Sequence, residues 1–93
     1  MKAIWNNQIV AESIDTVIIE NNHYFPPESI KSEYFKDSKT ISACHWKGTA
    51  RYKTLVVDGK INEDAAWYYP EPSALAKGIA GYYAFWNGVK IEE

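Results

Sequence analysis

Apolar residues along this chain come in short runs, many alternating with polar positions, and most runs stop at Asn, Asp, Gly or Pro. That is the period of half-buried strands joined by tight turns. Between residues 3 and 10 the apolar positions are interrupted by Asn6-Asn7-Gln8, and two successive Asn suit a turn of positive φ, which predicts a first hairpin. The β-branched run 16–20 predicts a second strand that closes at Asn21-Asn22. His23-Tyr24-Phe25 then meets Pro26-Pro27, which removes two backbone donors and so ends a strand or holds it at an edge. Residues 28–31 fit a helical turn with Pro27 near its first position.

Residues 32–35 and 40–46 read as strands around the polar turn Lys36-Asp37-Ser38-Lys39, after which Gly48 breaks the pattern. A longer strand is expected over 49–57. Asp58-Gly59 is a strong two-residue hairpin signal leading into the short run 60–62. Residues 65–69 form the next expected strand, ending at Pro70. Residues 72–77 make the one convincing short helix, started near Pro72 and stopped by Gly78. Residues 79–86 return to strand, and Asn87-Gly88 turns the chain into 89–91. A single domain over residues 1–93 is expected, mainly β: a small antiparallel sandwich, open barrel or rolled sheet made of hairpins, with one short helix near 72–77.

Composition adds a surplus of rings. Four Trp, seven Tyr and three Phe supply a core without disulfides, since each buries roughly 150–250 Å² on packing. The tyrosine hydroxyls need water or a partner, which puts several rings at the surface or along a cleft. A net charge of -2 and a pI near 5.7 lack the counterion-release drive of nucleic-acid binding, so DNA is not an expected partner. Met1 leads straight into alternating residues rather than into a signal sequence, and no run approaches the ~20 apolar residues of a membrane helix. With the lone thiol of Cys44, these features point to the cytoplasm and away from the membrane.

Candidate chemistry concentrates in the middle of the chain. Cys44 is a possible nucleophile, because a nearby cation favours the thiolate and His45, Lys47 and Arg51 are close in sequence. Side chains of successive strand residues point to opposite faces, however, so His45 would not serve Cys44, and His23 is the other imidazole. The plain alternative is a cysteine packed as a small hydrophobe. Glu28 and Glu71, each just after a proline corner, are candidate acid and base or simply part of strand-ending corners. His23, Cys44 and His45 are the only nitrogen and sulfur donors suited to a structural metal, and no Cys-x-x-Cys spacing exists, so no metal and no other cofactor is expected.

Trp46-Lys47-Gly48 combines a ring, a mobile cation and a residue that lets backbone approach a ligand. With Arg51, Tyr24, Trp67 and Tyr69 brought near by strand pairing, it would line an aromatic cleft for a small anionic or aromatic molecule. Equally, Trp67 and Tyr69, two residues apart, fit a stripe facing the core, with Lys47 and Arg51 in solvent.

Tyr24-Phe25-Pro26-Pro27-Glu28, the stretch from Cys44-His45-Trp46-Lys47-Gly48 to Tyr52, Ala65-Ala66-Trp67-Tyr68-Tyr69-Pro70-Glu71-Pro72 and Ile79-Ala80-Gly81-Tyr82-Tyr83-Ala84-Phe85 together resemble, in order and spacing, the family called domain of unknown function 427. The resemblance spans nearly the whole chain and implies a compact, stand-alone β-rich domain. One departure is His45-Trp46 where the family often has Pro-Tyr, which puts any role of that proline turn in doubt here. The family has also carried a nucleotidyltransferase label, which implies a Gly-Ser turn near paired carboxylates that hold magnesium. This chain offers Gly48-Thr49, Asp58 and the adjacent Glu63-Asp64, and neighbours on a strand face opposite ways.

Three readings follow. The leading one is a module that binds a small molecule or a peptide in the cleft of Tyr24, Trp46, Lys47, Gly48, Arg51, Trp67 and Tyr69. The second is a small enzyme with Cys44 as nucleophile and His23 or Glu71 as base. The third is an interaction or homo-oligomer module that uses residues 89–91 or the first hairpin as an exposed edge.

Overall fold

In the computed structural model, which describes residues 1–93, Asn6 and Asn7 join β1 (Lys2–Trp5) to β2 (Gln8–Glu12) at φ 50° and 62°. Two residues of this hand match the twist of the strands they join, and Asn tolerates the conformation better than most. β3 (Val17–Ile19) and β4 (Asn22–Tyr24) follow the same plan, but Ile19 pairs with Asn22. The turn is therefore Glu20-Asn21, at φ 52° and 66°, one residue earlier than Asn21-Asn22. Pro27–Ser29 makes a 3-10 turn, as the proline at its first position allows.

The sheet at the centre of the molecule departs most from expectation. Residues 32–34 form a 3-10 turn (Ser32–Tyr34), and the polar stretch 36–39 lies inside a ten-residue strand, β5 (Phe35–Cys44). β5 is an edge strand, so its polar side chains meet water, and a register shift between Asp37 and Ile41 absorbs the irregularity. Ser38 and Thr40 there donate their hydroxyls to the Asp64 carboxylate. The strand stops at Cys44, which pairs with Gly48, so His45, Trp46 and Lys47 form the turn and Gly48 opens β6 (Gly48–Val57). His45 and Trp46 thus leave the strand expected over 40–46, because Gly48, at φ 110°, takes a backbone geometry that residues with a side chain rarely adopt and closes the loop there.

Asp58 and Gly59, at φ 51° and 77°, turn β6 into β7 (Lys60–Tyr68). The expected runs 60–62 and 65–69 are one strand, carried through by an irregularity at Asp64, whose φ is 55°. The short helix is a 3-10 segment, Ala74–Ile79, which runs past Gly78 and gives way to Gly81 at φ 74°. Only Tyr83–Phe85 of the expected 79–86 strand is β8. Asn87-Gly88 turns the chain as expected, yet β9 (Lys90–Glu92) pairs with β1 rather than with β8 and forms an outer edge.

The strands make three antiparallel sheets, ordered β2-β1-β9, β3-β4 and β5-β6-β7-β8, none closed into a barrel. Phe25 and Tyr83 exchange backbone hydrogen bonds of 2.7 and 2.9 Å, which sew the β3-β4 hairpin to β8. Two apolar clusters result. Ala3, Val10, Phe25, Leu55, Val57 and Phe85 are buried where the β2-β1-β9 sheet meets the four-stranded sheet. Tyr24, Ala50, Tyr69, Ala76, Ile79 and Ala84 form the second. Neighbours Ala84 and Phe85 on β8 alternate between them, so the clusters occupy opposite faces of one sheet. No helix is long and apolar enough to cross a membrane.

Candidate functional site

The second cluster opens into a cleft. β6 and β7 set Tyr52 opposite Trp67, and β7 and β8 set Trp67 opposite Ala84. Directly paired residues share a face, so the phenol and the indole stand side by side with only a methyl beyond them. Tyr69, just beyond the end of β7 and two residues from Trp67, packs in the same cluster. From β4 comes Tyr24, fully buried, whose hydroxyl accepts the Trp67 indole N–H at 3.2 Å while the two rings meet edge to face at 6.3 Å. Trp86, just beyond β8, donates its indole N–H to the Asp64 carbonyl at 2.6 Å and remains 53% exposed. With Asn22 and Lys47, these five rings line a cleft of about 320 Å³.

Lys47 is the charged residue of that cleft. The turn of residues 45–47 delivers its stem onto the second cluster, with the ammonium 5.0 Å from the Trp46 ring centre and 5.8 Å from that of Tyr69. Rings at these distances attract a cation through their π faces. Glu20, in the β3-β4 turn, forms an ion pair with the ammonium; the lysine side chain is 6% exposed and the glutamate 57%. Burial pushes the Lys47 pKa down, but the hydrogen bond to Glu20 and the negative character of Tyr24, Cys44 and Glu20 outweigh it and hold the group above its ordinary value. The same hydrogen bond, then the lysine charge, lowers Glu20.

Cys44 is half-buried and packs beside this cluster. Burial alone would raise its pKa, yet the backbone N–H groups of Lys47 and Trp46, the Lys47 charge and the Tyr69 hydroxyl bring it below the usual thiol value. Burial, followed by the negative character of Tyr24 and Cys44, raises Tyr69. Neither base considered for Cys44 is among the groups that act on its thiol. His23 alternates with Tyr24 on β4 and its Nδ1 lies 3.2 Å from the Thr16 hydroxyl. Glu71 lines a separate, open depression of about 550 Å³ with Gly48, Thr49, Arg51, Pro70 and Ser73.

Of the residues expected to line a cleft, Tyr24, Lys47, Trp67 and Tyr69 therefore converge, with Trp46 behind the ammonium. Arg51 alternates with Tyr52 on β6 and faces away. Gly48 serves the turn: a Cβ there would lie 3.4 Å from backbone atoms of Glu71, Pro72 and Ser73. Ser73 clamps that corner, its N–H on the Lys47 carbonyl at 3.0 Å and its hydroxyl on the Trp46 carbonyl. Tyr52, Trp86 and Asn22 also line the cleft and Glu20 pairs with its cation, four roles that the sequence does not signal. The sequence signals put Asn22 in a turn and Glu20 at the end of the strand before it, and nothing local ties that hairpin to Lys47, 27 residues from Glu20. No three His, Cys, Asp or Glu side chains lie close enough to hold a metal ion.

No curated protein matches the chain. The model of the family described as a domain of unknown function (DUF427) matches residues 1–93, and the chain belongs to that family.

Proposed function

We propose that this chain is a binding module whose cleft takes a small planar aromatic molecule, free or as the side chain of a peptide. The observation that carries this is the convergence of Tyr24, Tyr52, Trp67, Tyr69 and Trp86, from three strands and the segments after β7 and β8, on one open cleft with a single cation at its side. A purely structural stripe would close over itself; here Trp86 stays more than half exposed with its N–H tied down. Aromatic faces held by hydrogen bonds are pre-organised, which lowers the ordering cost of binding a flat ligand. A reducing compartment such as the cytoplasm suits the free thiol of Cys44 beside this site. The enzyme reading has less support, because neither His23 nor Glu71 is hydrogen-bonded to Cys44: His23 meets the Thr16 hydroxyl and Glu71 lines the separate depression.

Titration with indole, followed by tryptophan fluorescence and by chemical shifts of the indole N–H groups, tests the proposal. Saturable binding that perturbs Trp67 and Trp86 but spares Trp5, on the first hairpin, is expected, and Trp67→Ala should weaken it at least tenfold, the loss of about 1.4 kcal/mol of ring contact. Binding that survives Trp67→Ala unchanged would show that the ligand sits elsewhere.

A further inference from the structure

The cleft contains one charged side chain, and the way that charge is held points to the class of ligand. Lys47 lines the cleft whereas Glu20 does not. Three N–H donors sit on the ammonium, and Glu20 is the sole hydrogen-bond acceptor that the protein supplies to them. Its other close neighbours are the faces of Trp46 and Tyr69, which attract the cation without accepting a directed bond. The two partners differ in freedom. At 6% exposure the lysine is held by packing on every side, whereas Glu20 reaches in from a two-residue hairpin turn and is 57% exposed. Glu20 can swing into water and be solvated there; Lys47 cannot follow it.

A further donor lies on the same wall: the Asn22 amide lines the cleft beside the Tyr24 hydroxyl that holds the Trp67 N–H. A cationic occupant would meet a fixed ammonium at short range, and a neutral one would leave the donors of Lys47 as they are. An anionic occupant would replace Glu20 with a carboxylate of its own.

Resting on the binding function proposed above, we infer that the ligand is a planar aromatic acid whose anionic group takes the place of Glu20 on Lys47, and that Glu20 is the residue that sets the preference for acid over neutral ligand. Glu20 acts as an internal competitor: it keeps the ammonium neutralised in the empty cleft and yields to a carboxylate that brings a ring with it. The exchange conserves charge pairs, so the net preference is modest rather than the full strength of a new ion pair.

Calorimetric titration with indole-3-carboxylate and indole-3-carboxamide, which differ only in the anionic group, separates the possibilities. Wild-type protein should bind the acid about tenfold more tightly than the amide, the scale of one charge-assisted contact. Glu20→Gln removes the competitor and should widen that ratio by roughly fivefold, whereas Lys47→Met should bring it to about one. Glu20→Gln changes an exposed turn, so the ratio remains measurable even if Lys47→Met fails to fold. A ratio that Glu20→Gln leaves unchanged or lowers would overturn the inference, as would tighter binding of a tetramethylammonium probe than of either indole. If acid and amide bind equally and Trp67→Ala abolishes both, the cleft still binds aromatics and only the anion preference is lost. If neither binds the wild-type protein, the aromatic-ligand function falls, and the inference with it.

Discussion

Lys47 and Lys53 sit on the same hairpin and make similar contacts, but they occupy different situations. Each ammonium forms one ion pair, Lys47 with Glu20 and Lys53 with Asp37, and each lies 5.8 Å from a tyrosine ring centre, Tyr69 and Tyr68 respectively. Lys53 projects from β6 among side chains that alternate with the cleft rings, 20% exposed, with a partner that is 92% exposed. Lys47 is delivered by a turn rather than a strand, has a second ring against it and borders the cleft. An ion pair over an aromatic ring is thus no sign of a site by itself. What distinguishes Lys47 is that the backbone around it is built to a geometry that other corners do not need.

That distinction can be broken at Gly48. At φ 110° a side chain is strained whatever space surrounds it, and the new Cβ would sit 3.4 Å from backbone of residues 71–73, with little room to relax that strain. Gly48→Ala is expected to cost about 3 kcal/mol. Gly59, in the turn at the other end of β6, has φ 77° and nothing near its would-be Cβ, so Gly59→Ala should cost about 1 kcal/mol. Urea unfolding of the two variants measures both. Equal losses would mean that the Lys47 corner is no more demanding than an ordinary hairpin turn.

The next effect in size contrasts the lysines directly. Lys47→Ala strips an enclosed stem from between Trp46 and Tyr69 and should cost about 2 kcal/mol, mostly as lost packing. Lys53→Ala removes a partly exposed pair and should cost less than about 1 kcal/mol. Thermal or urea denaturation of each single variant tests the contrast, and a larger loss at Lys53 would reverse it.

Much of this arrangement was legible in the sequence, for a local reason. Asn6-Asn7, Asp58-Gly59 and Asn87-Gly88 require positive φ at both positions, and each makes the turn that requirement predicts. The alternation of Trp67 and Tyr69 predicts two rings on one face whatever strand lies beside them. What stayed hidden depends on register and on distant contacts. Continued from the Asp58-Gly59 turn, the pairing of Leu55 with Asn62 would set Tyr52 opposite Ala65; the irregularity at Asp64 sets it opposite Trp67 instead. That displacement brings Tyr52 into the cleft, and no turn signal announces it. Polarity alone does not separate a loop from an exposed edge strand, so the stretch 36–39 predicts a turn, and the hydroxyls of Ser38 and Thr40 find Asp64 only once β7 is in place. The β9 partner was equally out of reach, since Asn87-Gly88 fixes a change of direction and leaves the receiving strand open.

The smallest expected effect sharpens the comparison through pH and salt. Lys47 lowers the Glu20 carboxyl by its hydrogen bond and then its charge, and Lys53 does the same for Asp37. A carboxyl whose folded-state pKa lies below its unfolded value stabilises the fold fully above about pH 5 and loses that contribution as pH falls through the folded-state value. The gap in melting temperature between wild type and Glu20→Gln should therefore be open near neutral pH and close in acid, and that between wild type and Asp37→Asn should do likewise. Salt separates the two. At about 1 M the screening length is roughly 3 Å, which reaches an exposed pair such as Asp37 and Lys53 but acts less on an ammonium enclosed by rings. The Asp37→Asn gap should shrink in concentrated salt while the Glu20→Gln gap persists. If both shrink alike, the ammonium of Lys47 meets solvent as freely as that of Lys53, and the enclosure that marks it as the anchor of the cleft is lost.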